Sequence, residues 1–161
     1  MRINTKCSTA IHILLMIYVV APHRKVTSDY LAASVGRNPV EIRKIFGGLK
    51  EAGLIDVLRG NGGVALKREL KDITLLDIYA AVDNSALNEL LGVHTNVSQK
   101  CPVGRNIHTL LMEPREKIGD AVKQTMSTIT LEDLLNRLYE IDPAAWEFTP
   151  SGAGVSLGRK A

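Results

Sequence analysis

Arg43, Lys44 and Lys50 lie in a segment, 39–52, whose other residues Ile42, Ile45, Phe46 and Leu49 repeat at helical spacing. One side of such a helix is buried, and Arg43, Gly47 and Lys50 point roughly the other way. Guanidinium and ammonium groups at the front of a helix can pair with guanine O6 and N7 in a major groove. Asn38, Arg43 and Lys44 hold those groove-facing positions. Ser28 and Lys50 are placed for phosphate contact. Further on, Arg59-Gly60-Asn61-Gly62-Gly63 forms a cationic turn rich in residues that tolerate positive φ. A second chemistry belongs to sulfur. Cys101 directly precedes Pro102, with Lys100 and Arg105 nearby. A helix start and two cations favour the thiolate, which predicts a reactive Cys101. Cys7 is the only other cysteine.

The elements around these residues follow from local pattern. Asn38 caps the helix, Pro39 suits its first turn, and Glu41 completes a capping-box spacing. Gly53 closes it. Ile55 to Leu58 and Val64 to Leu66 are short apolar strands flanking the glycine-rich turn. Before it, Ser28 caps a helix that runs to Val35, with Leu31, Ala32 and Val35 inward, and Gly36 ends it. Thr5 to Val20 is an apolar helix with Ile11, Leu14, Leu15 and Tyr18 on one face, stopped by Pro22. Three helices and a two-stranded ribbon with Arg59, Gly60 and Asn61 at its tip make the outline of a winged helix-turn-helix. That is a DNA-binding reading.

Charge agrees. Arg37 to Lys71 carries eight cations (Arg37, Arg43, Lys44, Lys50, Arg59, Lys67, Arg68, Lys71) against four anions (Glu41, Glu51, Asp56, Glu69). The rest of the chain, which totals +3, is left with −1. Positive charge is concentrated on the reading head, as phosphate binding requires. Of the 161 residues 45% are hydrophobic but only 4% aromatic, so the core is aliphatic and mainly helical. Ile13 to Ala21, following Arg2 and Lys6, faintly resembles a signal peptide. It is shorter than the roughly 18 residues a membrane span needs, and Pro22 follows it. Two cysteines give no disulfide framework, so a cytoplasmic location is expected, with no membrane partner.

Beyond the ribbon, Thr74 starts a helix to about Asp83, with Leu76, Tyr79 and Val82 inward. Leu87, Leu90 and Leu91 suggest a short helix, and Gly92 to Gln99 a loop. Pro102 or Val103 opens the longest stripe, through Ile107, Leu110, Leu111, Ile118, Ala121, Val122 and Thr125. Pro114 predicts a kink or two abutting helices. A stripe this long exceeds what a small trihelical head can cover, so it predicts a homodimer. Thr130 starts a last helix to about Glu140, with Leu134, Leu135 and Leu138 inward. The expected division is a winged helix-turn-helix domain over 1–72, a sensor loop and dimerisation region over 73–140, and a flexible tail over 141–161, in which Trp146 and Phe148 could dock.

Residues 1 to 140 resemble the Rrf-type family of winged-helix regulators, which includes iron–sulfur, nitric-oxide and cysteine-metabolism sensors. The resemblance rests on MRINTKCSTAIHILL, EIRKIFGGLKEAGLIDVLRGNGGVAL, ITLLDIYAAVD, KCPVGRNI and ITLEDLLNRL, in that order. It implies a bacterial dimeric transcription factor, usually a repressor. Its operator is double-stranded DNA, with Arg59 in the minor groove and the long helix crossing its symmetry mate. Many relatives hold an iron–sulfur cluster on three cysteines before the long helix. Here only Cys101 stands between Asp83 and Arg105, and Cys101 with Cys7 cannot supply three thiolates, so no cofactor is expected. By the same resemblance Cys7 of one chain would approach Cys101 of the partner subunit, where a disulfide could make the regulator redox-responsive.

The alternative signal is a small-molecule effector bound near His94, Asn96, Arg105, Asn106 and His108, with no redox role. His12 and His23 lack neighbouring ligands at metal spacing. No catalytic residues are expected. The chain has no nucleophile–base constellation, P-loop, HExxH spacing or dinucleotide fingerprint, and the glycine-rich turn lies between strands. These absences argue against an enzyme.

Overall fold

The computed structural model describes residues 5–58, 63–83 and 87–148. Helix α1 (Lys6–Val20) runs through the centre of the head and buries Ala10, Ile13, Leu14 and Ile17. This corrects the expected inward face. Leu14 is buried, but Ile11, Leu15 and Tyr18 pack only partly against the core. The helix is apolar on nearly every side, so its period marks no single face; the neighbours on both flanks decide which residues are covered.

Helix α2 (Ser28–Val35) is capped by Thr27, whose side chain accepts from the Tyr30 N–H at 3.2 Å. Ser28 is therefore its first turn and not its cap. Leu31 and Ala32 face the core, while Val35 packs against it only partly. Gly36 stops the helix at φ +66°, a left-handed conformation that side chains resist. Two residues later Asn38 opens α3 (Pro39–Glu51). Its Oδ1 accepts from the Val40 N–H at 2.8 Å, and Glu41 lines an adjacent cleft. Ile42, Ile45, Phe46 and Leu49 are all buried, as their spacing predicts. Gly53, at φ +70°, turns the chain out of α3.

Strands β1 (Ile55–Val57) and β2 (Val64–Leu66) pair antiparallel, with Ile55 opposite Leu66 and Val57 opposite Val64. One more hydrogen bond, Leu58 N–H to Gly63 O at 3.0 Å, carries the ladder toward the tip. The tip itself, with Arg59, Gly60 and Asn61, lies outside the described residues.

Helix α4 (Leu75–Val82) follows a short 3-10 turn at Leu70–Asp72. Its buried residue is Ile78, whereas the expected Leu76, Tyr79 and Val82 are half-exposed. This helix too is apolar almost all round, and the strip facing α1 and α3 prevails. A 3-10 turn at Leu87–Glu89 precedes α5 (Pro102–Thr128), about 40 Å long at the usual rise. Pro114 lies inside α5 without dividing it into two helices. Among the described residues of α5 only Gly119 is buried, whereas Val103, Leu110, Met112 and Ile118 are exposed.

The chain then returns to the head. Helix α6 (Leu131–Ile141) inserts Leu131, Leu135 and Tyr139 into the same core as Ile13 and Ile73. Leu134 and Leu138 pack partly against it. The starts of α4 and α6 are built alike. Thr74 with Asp77, and Thr130 with Asp133, each form a capping box, satisfying two backbone donors apiece. The two starts lie side by side. Leu75 N–H bonds Ile129 O at 2.9 Å, and Leu131 N–H bonds Ile73 O at 2.8 Å. A 3-10 turn at Pro143–Phe148 follows α6. The side chains of Trp146 and Phe148 and all of 149–161 lie outside the described residues.

Candidate nucleic-acid interface

Helix α3 presents one face to the core and the opposite face to solvent. Asn38, Arg43, Lys44 and Lys50 are all exposed there, and Ser28 is half-buried at the start of α2. The structure brings two of these together: Arg43 Nε donates to Ser28 Oγ at 3.2 Å. Its Nη2 lies 3.7 Å from the Asp29 carboxylate. Both partners of that ion pair are well exposed, so it contributes little to stability. Its effect is directional: it draws the guanidinium toward α2, the side on which α2 and α3 form one continuous edge. Lys44 lies on the other flank of α3 and lines a cleft. The cations therefore straddle the helix rather than forming a single row. Between them the outer line of α3 carries Val40, Gly47 and, at its end, Glu51. Val40 is 52% exposed, and a Cβ added to Gly47 would meet nothing within 4 Å. Val40 is not among the residues expected at this face. A valine set opposite the Ile42–Ile45–Leu49 face was the available sign.

Gly47 and Gly48 look alike in sequence but have different uses. A Cβ on Gly48 would overlap the carbonyl oxygen of Ala81 in α4. Gly48 thus lets α3 and α4 cross with their backbones in contact, and fixes the tilt of the recognition helix against the rest of the chain.

The cleft beside Lys44 has a volume of about 470 Å³. Thr5 just before α1, Lys6 and Thr9 of α1, Arg37 of the corner, Glu41, Lys44 and Glu51 of α3, and Ala81 and Val82 of α4 line it. Arg37 is held at its rim by a 2.8 Å hydrogen bond from Nη2 to Thr5 Oγ1.

The two cysteines occupy unlike settings. Cys101 is exposed and caps α5, its sulfur accepting from the Gly104 N–H at 3.4 Å. Cys7 is half-buried in the first turn of α1, where burial and the nearby charge of Asp83 push its thiol above the ordinary range. His94, Asn96, Arg105, Asn106 and His108 are all exposed, and none of them lines the cleft. No three His, Cys, Asp or Glu side chains come together as a metal site among the described residues. With two cysteines in the chain, the donor set does not fit a cluster held by three thiolates. No described helix is long and apolar enough to cross a membrane.

Comparison with known proteins agrees with this geometry. Residues 3–137 match the family model for Rrf2, described as an iron-dependent transcriptional regulator. YwnA of Bacillus subtilis (strain 168), named as an HTH-type transcriptional regulator, is 36% identical over 137 residues. The alignment covers 85% of this chain and 99% of YwnA. Among solved structures, IscR of T. potens superposes with a TM-score of 0.62 at 21% identity, covering 88% of this chain and 91% of IscR. CymR, the global cysteine regulator of B. subtilis, superposes with a TM-score of 0.58 at 22% identity, covering 85% and 98%. These two likenesses concern the fold. A capped basic helix beside a β-ribbon, a long exposed helix and a family match over most of the sequence converge: the chain belongs to the Rrf2 family of DNA-binding winged-helix transcriptional regulators, and is not an enzyme.

Proposed function

We propose that the protein is a homodimeric repressor that binds a specific operator through α3 and the wing. The observation that carries this reading is the exposed set Asn38, Arg43, Lys44 and Lys50 on a helix whose other face is wholly buried. Dimerisation is supported by α5. Val103, Leu110 and Met112 are each more than half exposed there, an apolar surface that a lone chain in water leaves uncovered. Pairing through α5 would set two heads at a fixed spacing and match two half-sites. Regulation is assigned to Cys101, the exposed thiol at the start of that helix, without an iron–sulfur cluster. A two-electron oxidant such as hydrogen peroxide, itself reduced to water, would join the Cys101 thiol to Cys7 of the partner subunit as a disulfide and alter the spacing of the heads.

A second reading is favoured by the cleft under α3. It is within the size range of small-ligand sites, and its wall includes Lys44 of the reading face. An effector there would bear on DNA binding without any thiol chemistry.

The test is a mobility-shift titration on the protein's own promoter region at fixed salt, run reduced, oxidised and re-reduced, with Cys101→Ser in parallel. Specific binding lost on oxidation, restored by thiol and insensitive in Cys101→Ser is the expected result. Binding indifferent to redox state sinks the thiol switch and leaves the effector reading. Absence of specific binding in every state sinks the regulator reading. Sedimentation of Leu110→Glu, expected to be monomeric, tests the pairing surface.

A further inference from the structure

We propose that Val40 is a specificity-determining residue, reading the 5-methyl group of a thymine in the major groove. This rests on the operator-binding reading above. Ile42, Ile45, Phe46 and Leu49 define the buried face of α3. At 100° per residue, Val40 falls almost opposite the middle of that face, on the line that points farthest from the core. Val40 is 52% exposed, although every other outward residue in the front half of the helix is charged or polar. Neither the core nor the cap accounts for an apolar group there. The cap uses only its backbone N–H, bonded to Asn38 Oδ1 at 2.8 Å.

The position is also stiff. Pro39 restricts the backbone before it, the Asn38 bond holds its amide, and a β-branched side chain has one dominant rotamer on a helix. Little entropy would be lost on contact. Seven residues further on, just under two turns, Gly47 leaves open space on nearly the same line, so no side chain stands there between the helix and a groove floor. Arg43 and Lys44 flank it, one drawn toward α2 and the other toward the cleft, in position for guanine or phosphate on either side. In the major groove thymine is the one natural base that presents a methyl group, and apolar side chains recognise it. The ligand of Val40 is therefore a methyl-bearing pyrimidine edge.

The experiment pairs a base change with a side-chain change. The site is first located by footprinting on the promoter region. Each thymine within it is then replaced singly by deoxyuridine, which removes only the methyl. Affinities are measured for the wild type and for Val40→Ala, whose fold is checked by circular dichroism. The expected result is one position in each half-site where deoxyuridine weakens wild-type binding about three- to fivefold, the worth of one buried methyl. At that position it leaves Val40→Ala unaffected. A specific footprint with deoxyuridine effects equal in both proteins, or with none, overturns the assignment of Val40 while leaving the regulator reading intact. No specific footprint overturns both.

Discussion

Gly48 faces the Ala81 carbonyl so closely that helices α3 and α4 cross with no side chain between them. Its neighbour Gly47 faces open space. Alanine at the two sites should therefore act in opposite directions on the fold. Gly48→Ala is expected to cost about 1–3 kcal/mol, the usual penalty of forced overpacking. Gly47→Ala should gain up to about 1 kcal/mol from helix propensity alone. Urea denaturation of the two variants checks both signs.

Stability and DNA affinity should separate at the cations of α3. The Arg43–Asp29 pair is exposed, so Arg43→Ala should change stability by no more than about 1 kcal/mol. DNA affinity should nonetheless fall. Lys50→Ala, if it removes one phosphate contact, should reduce the slope of log affinity against log salt by about 0.9. Titrations at several salt concentrations, beside thermal melts, distinguish a lost base contact from a lost phosphate contact.

The thiols should react in order. Cys101 is exposed, and Cys7 is half-buried with its thiol form favoured by burial and by Asp83. Limiting iodoacetamide near neutral pH should label Cys101 first, as read by peptide mass spectrometry. The same shift sets a sign for stability. A thiol whose folded pKa is raised contributes fully below its unfolded value of about 9 and loses that contribution as pH rises through the folded value. Cys7→Ala should therefore flatten the decline of stability on the alkaline side.

The capping box of α6 gives an acid-side counterpart. Hydrogen bonds from the Thr130 hydroxyl and backbone N–H hold the Asp133 carboxyl below its ordinary value. Its contribution is present above about 3.8, the unfolded value, and is lost as pH falls through the lower folded one. Asp133→Ala should cost about 1 kcal/mol at pH 7, in line with other lost caps. The difference from wild type should shrink as pH falls below about 3.8, as followed by thermal melts across the acid range.

Where a helix is polar on one side, the sequence is readable. All four inward residues of α3 are buried as their spacing implies, and Gly36 turns the corner at the position its type suggests. Where a helix is apolar all round, as α1 and α4 are, period cannot choose a face, and Ile13, Ile17 and Ile78 emerge only with their neighbours in place. Adjacent capping residues are equally ambiguous: Thr27 and Ser28 offer the same chemistry one residue apart, and backbone geometry selects Thr27. The cations of the candidate site were legible because charge on an amphipathic helix must face water. The tether between Arg43 and Ser28 was not, because it depends on how two helices cross.

The bond pairs joining the starts of α4 and α6 have a consequence for how the protein is made. Leu131, Leu135 and Tyr139 fill a core whose other members come almost entirely from residues 10–78. A ribosome completes the reading head early, yet leaves its interior open until α6 emerges, after the whole of α5. Bringing Thr130 to Thr74 also closes a long loop, at an entropic cost of roughly 3–4 kcal/mol. The DNA-reading part of the chain is thus synthesised well before the helix that seals it, and a truncated product that ends inside α5 would carry a complete recognition helix on an unfinished core.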